Sequence, residues 1–231
     1  MYGAAGPKIG KMLGTTKDIG KFIVEAFWDG NSGLKTARDT AIEYWKAAGR
    51  NKYVLTIDGR VVSIRSQHSV LNSVFQSTGA VIMDYAGWWT REQALREGLE
   101  WQAWGYFHDE YQAYDQKKNV EKIEMPLDIV GEGVYDEKKG KMIYPKPPMI
   151  HDGRIWTKPK EINGKWVQYY SRIGELGVLG IRAAGRHFNL GHHVDSKYIV
   201  DNTKVAPEDL MGDDCYLDSD YMVGENWGDC H

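Results

Sequence analysis

Apolar residues recur along this chain first at a helical period and then at a strand period. After Thr16, Ile19, Phe22, Ile23, Ala26 and Phe27 fall on one helical face, and Asp29-Gly30 ends the run. Leu34, Ala37, Ala41, Ile42 and Trp45 predict a second helix with Gly49 as its stop, both helices packing on a shared core. Between Lys52 and Ser66 the runs YVLTI and VVSIR flank Asp58-Gly59, a dipeptide suited to a tight hairpin because Gly tolerates positive φ. Leu71, Val74, Phe75, Ala80, Ile82, Ala86 and Leu95 then predict one long helix from about Gln67 to Glu97, loosened or bent at Gly79 and Gly87. The segments WQAWGYF and YQAYD read as two strands joined through His108-Asp109-Glu110.

From Gln116 to about Gln168 the pattern turns charged and proline-containing, with hairpins expected at YDEKKGK and at EINGKWVQYY, where Asn163-Gly164 supplies the turn. This segment reads as an inserted β-rich subdomain. A helix is predicted from Ser171 to Phe188, followed by a polar, aspartate-rich stretch ending in CYLDSDYMVGENWGDCH. The predicted class is α+β, with helices packed on a small antiparallel sheet.

Composition narrows the functional classes. With 231 residues, 42% of them hydrophobic and 26% charged, the chain has an ordinary globular balance. Two cysteines, Cys215 and Cys230, are too few for a disulfide framework, which fits a reducing cytoplasm. No apolar run reaches the length of a bilayer span, so no membrane partner is expected. The net charge of −3 excludes nucleic-acid binding through bulk positive charge, yet residues 1 to 65 carry eleven Lys and Arg against six acids. Residues 203 to 231 carry eight acids against Lys204 alone. A basic N-terminal part is thus suited to phosphates. Cys215, Cys230, His187, His192 and His193 show no zinc-ligand spacing.

His108-Asp109-Glu110 is the candidate chemical centre. Carboxylates at a hairpin tip offer oxygen ligands on a rigid support, the chemistry Mg²⁺ takes, and paired ions serve phosphoryl transfer. Taken alone the tripeptide is weak, since surface turns often contain such residues.

Its neighbours make it specific. LTIDGRVVSIRSQHSVLNSVFQSTGAVI, then HDE, then the terminal GENWGDCH resemble, in order, the palm of family A DNA polymerases of short-tailed phages and, more distantly, bacterial DNA polymerase I. The resemblance covers most of residues 1–115 and 171–231 and leaves about 116–168 without a counterpart. It implies the end of a fingers region at 1–50, a palm hairpin, helix and motif C at 51–115, the insertion at 116–168, and a palm helix and tail at 169–231. It implies that Asn72 and Gln76 face the primer-template minor groove, where acceptors sit at nearly constant positions for every correct pair. By the same resemblance His68 and Arg65 contact primer-template DNA, His108 lies against the primer terminus, and Asp109, with Glu110 as auxiliary, is a catalytic metal ligand for Mg²⁺.

Tyr2-Gly3 resembles the end of the family's nucleotide-binding helix and GPKIG the segment after that helix, making Tyr2 the contact to the incoming nucleotide and template base. The motif A aspartate and the Arg and Lys of motif B are not among these matches. The implied arrangement is the C-terminal subunit of a split DNA-directed DNA polymerase, whose partners are an N-terminal subunit carrying those groups, primer-template DNA, dNTP and, as a further candidate, a processivity factor. The alternatives are an inactive truncated polymerase fragment and a noncatalytic DNA-binding or scaffold module.

Overall fold

The computed structural model describes residues 6–49, 52–107, 110–188, 190, 217 and 219–225. These residues form a mixed α+β structure dividing within one long helix into two compact units, residues 1–81 and 82–231. Among the described residues no helix is long and apolar enough to cross a membrane.

The first unit begins with helices α1 (Gly6–Met12) and α2 (Lys17–Gly30). Thr16 caps α2, its side-chain oxygen accepting from the Ile19 N–H at 3.3 Å. The two helices meet through Gly6, Gly10 and Gly20, which are buried; a Cβ on Gly20 would collide with the Gly6 carbonyl and the Gly10 nitrogen. Helix α1 was absent from the periodicity because glycine carries no apolar side chain to register it.

Packing of α2 and α3 (Ser32–Ala47) on a shared core does not occur. The first unit's core is Trp45, Val54, Ile64 and Val70, with Ala41, Ile42, Val62 and Val74 against it, and α2 contributes nothing to it. Ile19 and Phe22 of α2 are exposed instead, because close glycine contact leaves little room for large side chains between α1 and α2. Trp45 also donates from Nε1 to the Ile64 carbonyl at 3.0 Å, tying α3 to the hairpin of β1 (Tyr53–Leu55) and β2 (Val61–Ser63). Gly59, at φ +83, occupies the turn as predicted. Helix α4 (Val70–Arg96) follows, continuous through both Gly79 and Gly87.

In the second unit the C-terminal part of α4 packs on α5 (Arg172–His187) around Trp89, Ala94, Leu176, Leu179 and Ala183. Gly180 allows the close crossing: a Cβ there would sit 2.7 Å from the Ala86 carbonyl oxygen. The buried Thr90 hydroxyl is shared between the carbonyls of Ala86 (2.8 Å) and Leu176 (3.1 Å). Strands β3 (Gln102–Phe107) and β4 (Glu110–Tyr114) form one hairpin.

The insertion contains β5 (Val120–Pro126), β6 (Val134–Asp136), β7 (Lys141–Ile143), β8 (Lys160–Ile162) and β9 (Lys165–Ser171). Strands β6 and β7 make a separate two-stranded ribbon, and β9 is the centre of a three-stranded sheet ordered β5-β9-β8. Asn163 and Gly164 take φ +50 and +74, the turn predicted there.

Where β9 enters α5, the carboxylate of Glu175 is only 2% exposed. It accepts from the Ile155 N–H at 2.9 Å, the Tyr170 hydroxyl at 2.8 Å and the Arg172 guanidinium at 2.5 Å. Arg172 in turn grips Glu97 through two bonds of 2.6 and 2.8 Å. Arg154 lies over the rings of Trp156 and Tyr170 at 4.8 and 4.5 Å, closing the same junction.

The glycine contacts make opposite predictions for one substitution. Gly180→Ala should destabilise the chain by about 1–3 kcal/mol through overpacking. Gly79→Ala, with open space around the added methyl group, should stabilise it by about 0.5–1 kcal/mol. Urea titration followed by circular dichroism measures both. Glu175→Ala, which strips three half-buried donors of their buried acceptor, should cost about 3 kcal/mol in the same assay.

Candidate functional site

The hairpin of β3 and β4 carries the predicted carboxylates. Its register pairs Phe107 with Glu110, Tyr106 with Tyr111 and Gly105 with Gln112, with an irregularity between Ala103 and Gly105. The strands are therefore joined by the two residues His108 and Asp109, which lie outside the described residues. Glu110 opens β4 and is exposed. Oxygen donors from adjacent Asp and Glu match the chemistry of Mg²⁺, while two carboxylates leave most of an octahedral shell to other ligands. Among the described residues no group of three His, Cys, Asp or Glu stands together to hold a metal ion. His187 is instead a packing residue, stacked on Tyr85 at 4.3 Å with its pKa lowered by burial.

At the other end of the hairpin, β4 runs into Asp115, whose Oδ2 accepts from the Ser171 hydroxyl at 2.6 Å and whose Oδ1 accepts from Asn119 at 3.1 Å. Gln116 bonds to Glu100, just before β3, so the two legs of the hairpin are also linked below the strands. Ser171 is the N-cap of α5 and accepts from the Gly174 N–H at 3.1 Å. Its own N–H donates to the Tyr221 hydroxyl at 3.1 Å, and that hydroxyl donates to the Ile155 carbonyl at 2.7 Å. Burial pushes the Tyr221 phenol up to about 12, so it keeps the proton it donates. The Tyr221 ring lies against Gly174, and the surrounding tail is pinned by Lys158 to Asp220 (2.5 Å) and Lys117 to Glu225 (2.8 Å).

Arg65, His68, Asn72 and Gln76 all fall in the first unit. Arg65 and His68 are exposed, and Ser66 organises the short 3₁₀ turn Gln67–Ser69 by accepting from the His68 N–H. In α4, Val70 and Val74 face the first unit's core. Asn72 and Gln76 lie two residues beyond each, so at about 100° per residue they point away from it. Gln76 is exposed and Asn72 half-buried, with its Oδ1 shielded from solvent and without a hydrogen-bond partner among the described residues. This amide stripe thus does no packing work for the core. Tyr2 lies outside the described residues. The loop carrying Asp58 is held locally: the Thr56 hydroxyl and Arg60 lower the pKa of that carboxyl.

Asp115, Ser171, Glu175 and Tyr221 escaped the reading of the sequence. Ser171 alone carried a signal there, as a capping residue before an apolar helical run. The others depend on pairing between distant segments, which leaves no local pattern.

No family model matches the chain. It is 29% identical over 141 residues to the DNA-directed DNA polymerase of Enterobacteria phage T3, covering 53% of this chain and 20% of that protein. The DNA-directed DNA polymerase of Escherichia phage T7 is 28% identical over 142 residues, with the same shares, 53% and 20%. That of Escherichia phage Phieco32 is 26% identical over 161 residues, covering 67% of this chain and 25% of the relative. The chain thus spans a fifth to a quarter of the length of the curated relatives it matches. Over about half of its own length it is homologous to phage DNA-directed DNA polymerases, and this partial coverage fits a fragment of a phage family A polymerase.

Proposed function

We propose that this chain is the C-terminal subunit of a split DNA-directed DNA polymerase acting in phage DNA replication in the host cytoplasm. The observation that carries the reading is the Phe107–Glu110 register, which makes His108 and Asp109 the whole connection of the hairpin and sets Glu110 beside it. Homology to phage polymerases supplies the reaction class.

In this reading Asp109 holds Mg²⁺ with Glu110 as auxiliary carboxylate, and His108 lies at the primer terminus. When bound, paired ions supply activation of the attacking oxygen and stabilisation of the leaving one. The N-terminal subunit contributes the motif A aspartate and the Arg and Lys that grip the dNTP triphosphate. Asn72 and Gln76 donate amide hydrogens to minor-groove acceptors, whose near-constant positions make this a check of pair geometry rather than sequence. Gln76 is exposed, the half-buried Asn72 has an amide oxygen without a hydrogen-bond partner among the described residues, and neither side chain belongs to the first unit's core. Arg65 and His68 contact the primer-template, Tyr2 the nascent pair, and a processivity factor remains a candidate further partner.

Mixing this chain with the polypeptide that carries motif A should restore primer extension, and Asp109→Ala in the mixture should reduce kcat by at least about a hundredfold. Retained extension by that variant would remove the metal-ligand assignment. Gln76→Ala should weaken primer-template binding by about fivefold, the worth of one hydrogen bond, with little dependence on sequence. Fluorescence anisotropy on duplexes of different sequence reads this directly, and a sequence-dependent loss would contradict the minor-groove role.

A further inference from the structure

The insertion and the tail converge with the base of the β3–β4 hairpin at the N-terminus of α5. Asp115, the residue directly after β4, bonds to the helix cap Ser171, and Ser171 bonds through its N–H to Tyr221. Tyr221 reaches the insertion at the Ile155 carbonyl, whose own N–H is held by buried Glu175. Arg172, next to the cap, bonds both Glu175 and Glu97, and Gln116 bonds Glu100 just before β3. Two of these links, Asp115 to Ser171 and Gln116 to Glu100, act directly on the base of the β3–β4 hairpin. The others tie the surroundings of Ser171 to the insertion, the tail and Glu97. Each strand spans only five or six residues between base and turn. A two-stranded hairpin is marginal by itself, so its direction is set by whatever fixes its base.

We propose that Asp115, Ser171 and Tyr221 are positioning residues for the β3–β4 hairpin and the Glu110 that opens β4, through which the insertion and the C-terminal tail brace that hairpin for nucleotidyl transfer. The inference rests on the polymerase reading for its chemistry and on the hydrogen bonds alone for the brace. Ser171 is the pivot because its hydroxyl donates to Asp115 while accepting from the Gly174 N–H, coupling strand direction to the first turn of the helix. Tyr221 adds the tail by accepting from one backbone group and donating to another, a role Phe cannot fill.

The test uses the full chain for structure and its complex with the motif A polypeptide for activity. In Asp115→Ala, amide hydrogen exchange across residues 102–114 should accelerate about fivefold, the worth of one hydrogen bond, while peptides from residues 6–47 stay unchanged. In the complex, kcat per active site, counted by burst amplitude, should fall about tenfold. KM for dNTP and the affinity for primer-template should hold. Asp115→Asn, which keeps an acceptor for the Ser171 hydroxyl, should recover most of both effects. Tyr221→Phe should shift exchange in the same direction with the ring contact to Gly174 preserved.

Unchanged exchange at 102–114 in Asp115→Ala would overturn the brace. Faster exchange with kcat per active site intact would overturn its role in positioning. Should the wild-type mixture fail to extend primers while exchange responds as expected, the brace stands and the polymerase reading falls.

Discussion

A single carboxylate withdrawn from water organises the second unit. Burying the charge of Glu175 is unfavourable by itself, and its three donors offset that cost only when all are in place. They come from different parts of the chain: the backbone at Ile155, the Tyr170 ring from β9 and the Arg172 guanidinium from α5. Glu175 also lies in the first turn of α5, where the helix dipole favours negative charge. The result is directional. The helix start, strand β9 and the segment before β8 are tied to one carboxylate, and Arg172 extends the same constraint to Glu97 beyond the end of α4.

The first unit is built on a different principle. Its α1–α2 pair is held by backbone approach at glycines rather than by interlocked side chains, and its small core is finished by Trp45, Val54, Ile64 and Val70. That economy leaves Lys8, Lys11, Lys17 and Lys21 on the outside, beside exposed Phe22 and Met12. It also leaves the polar stripe of α4 unneeded for packing. Nucleic-acid contact in the proposed reading uses surface that folding does not consume.

Much of the fold was legible because it is local. Thr16, Asp58-Gly59, Asn163-Gly164 and Ser171 each announce a boundary through their own chemistry, and helices α2 to α5 showed their apolar period. Helix α1 was hidden because its two glycines write no hydrophobic pattern when backbone meets backbone. Strand β5 was hidden for another reason: VEKIEMP breaks the apolar-polar alternation with the adjacent pair Glu121-Lys122, and its partner β9 lies across the whole insertion. Of the candidate site, the carboxylate turn and the amide stripe were legible as motifs on predicted elements. The anchoring of the hairpin was not, since an aspartate, a serine and a tyrosine far apart in sequence acquire meaning only once β9 and the tail converge.

Gly174 shows what that convergence demands of the sequence itself. A helical first turn gains stability from almost any residue other than glycine, yet a methyl group here would enter the Tyr221 ring. The position therefore keeps a poor helix former on behalf of a segment much later in the chain. In a lineage that lost or rerouted the tail, selection on this glycine would relax, and helix-favouring residues would be free to spread at the site. Where the aromatic persists, glycine should persist with it, because the ring leaves no room for a side chain at this turn.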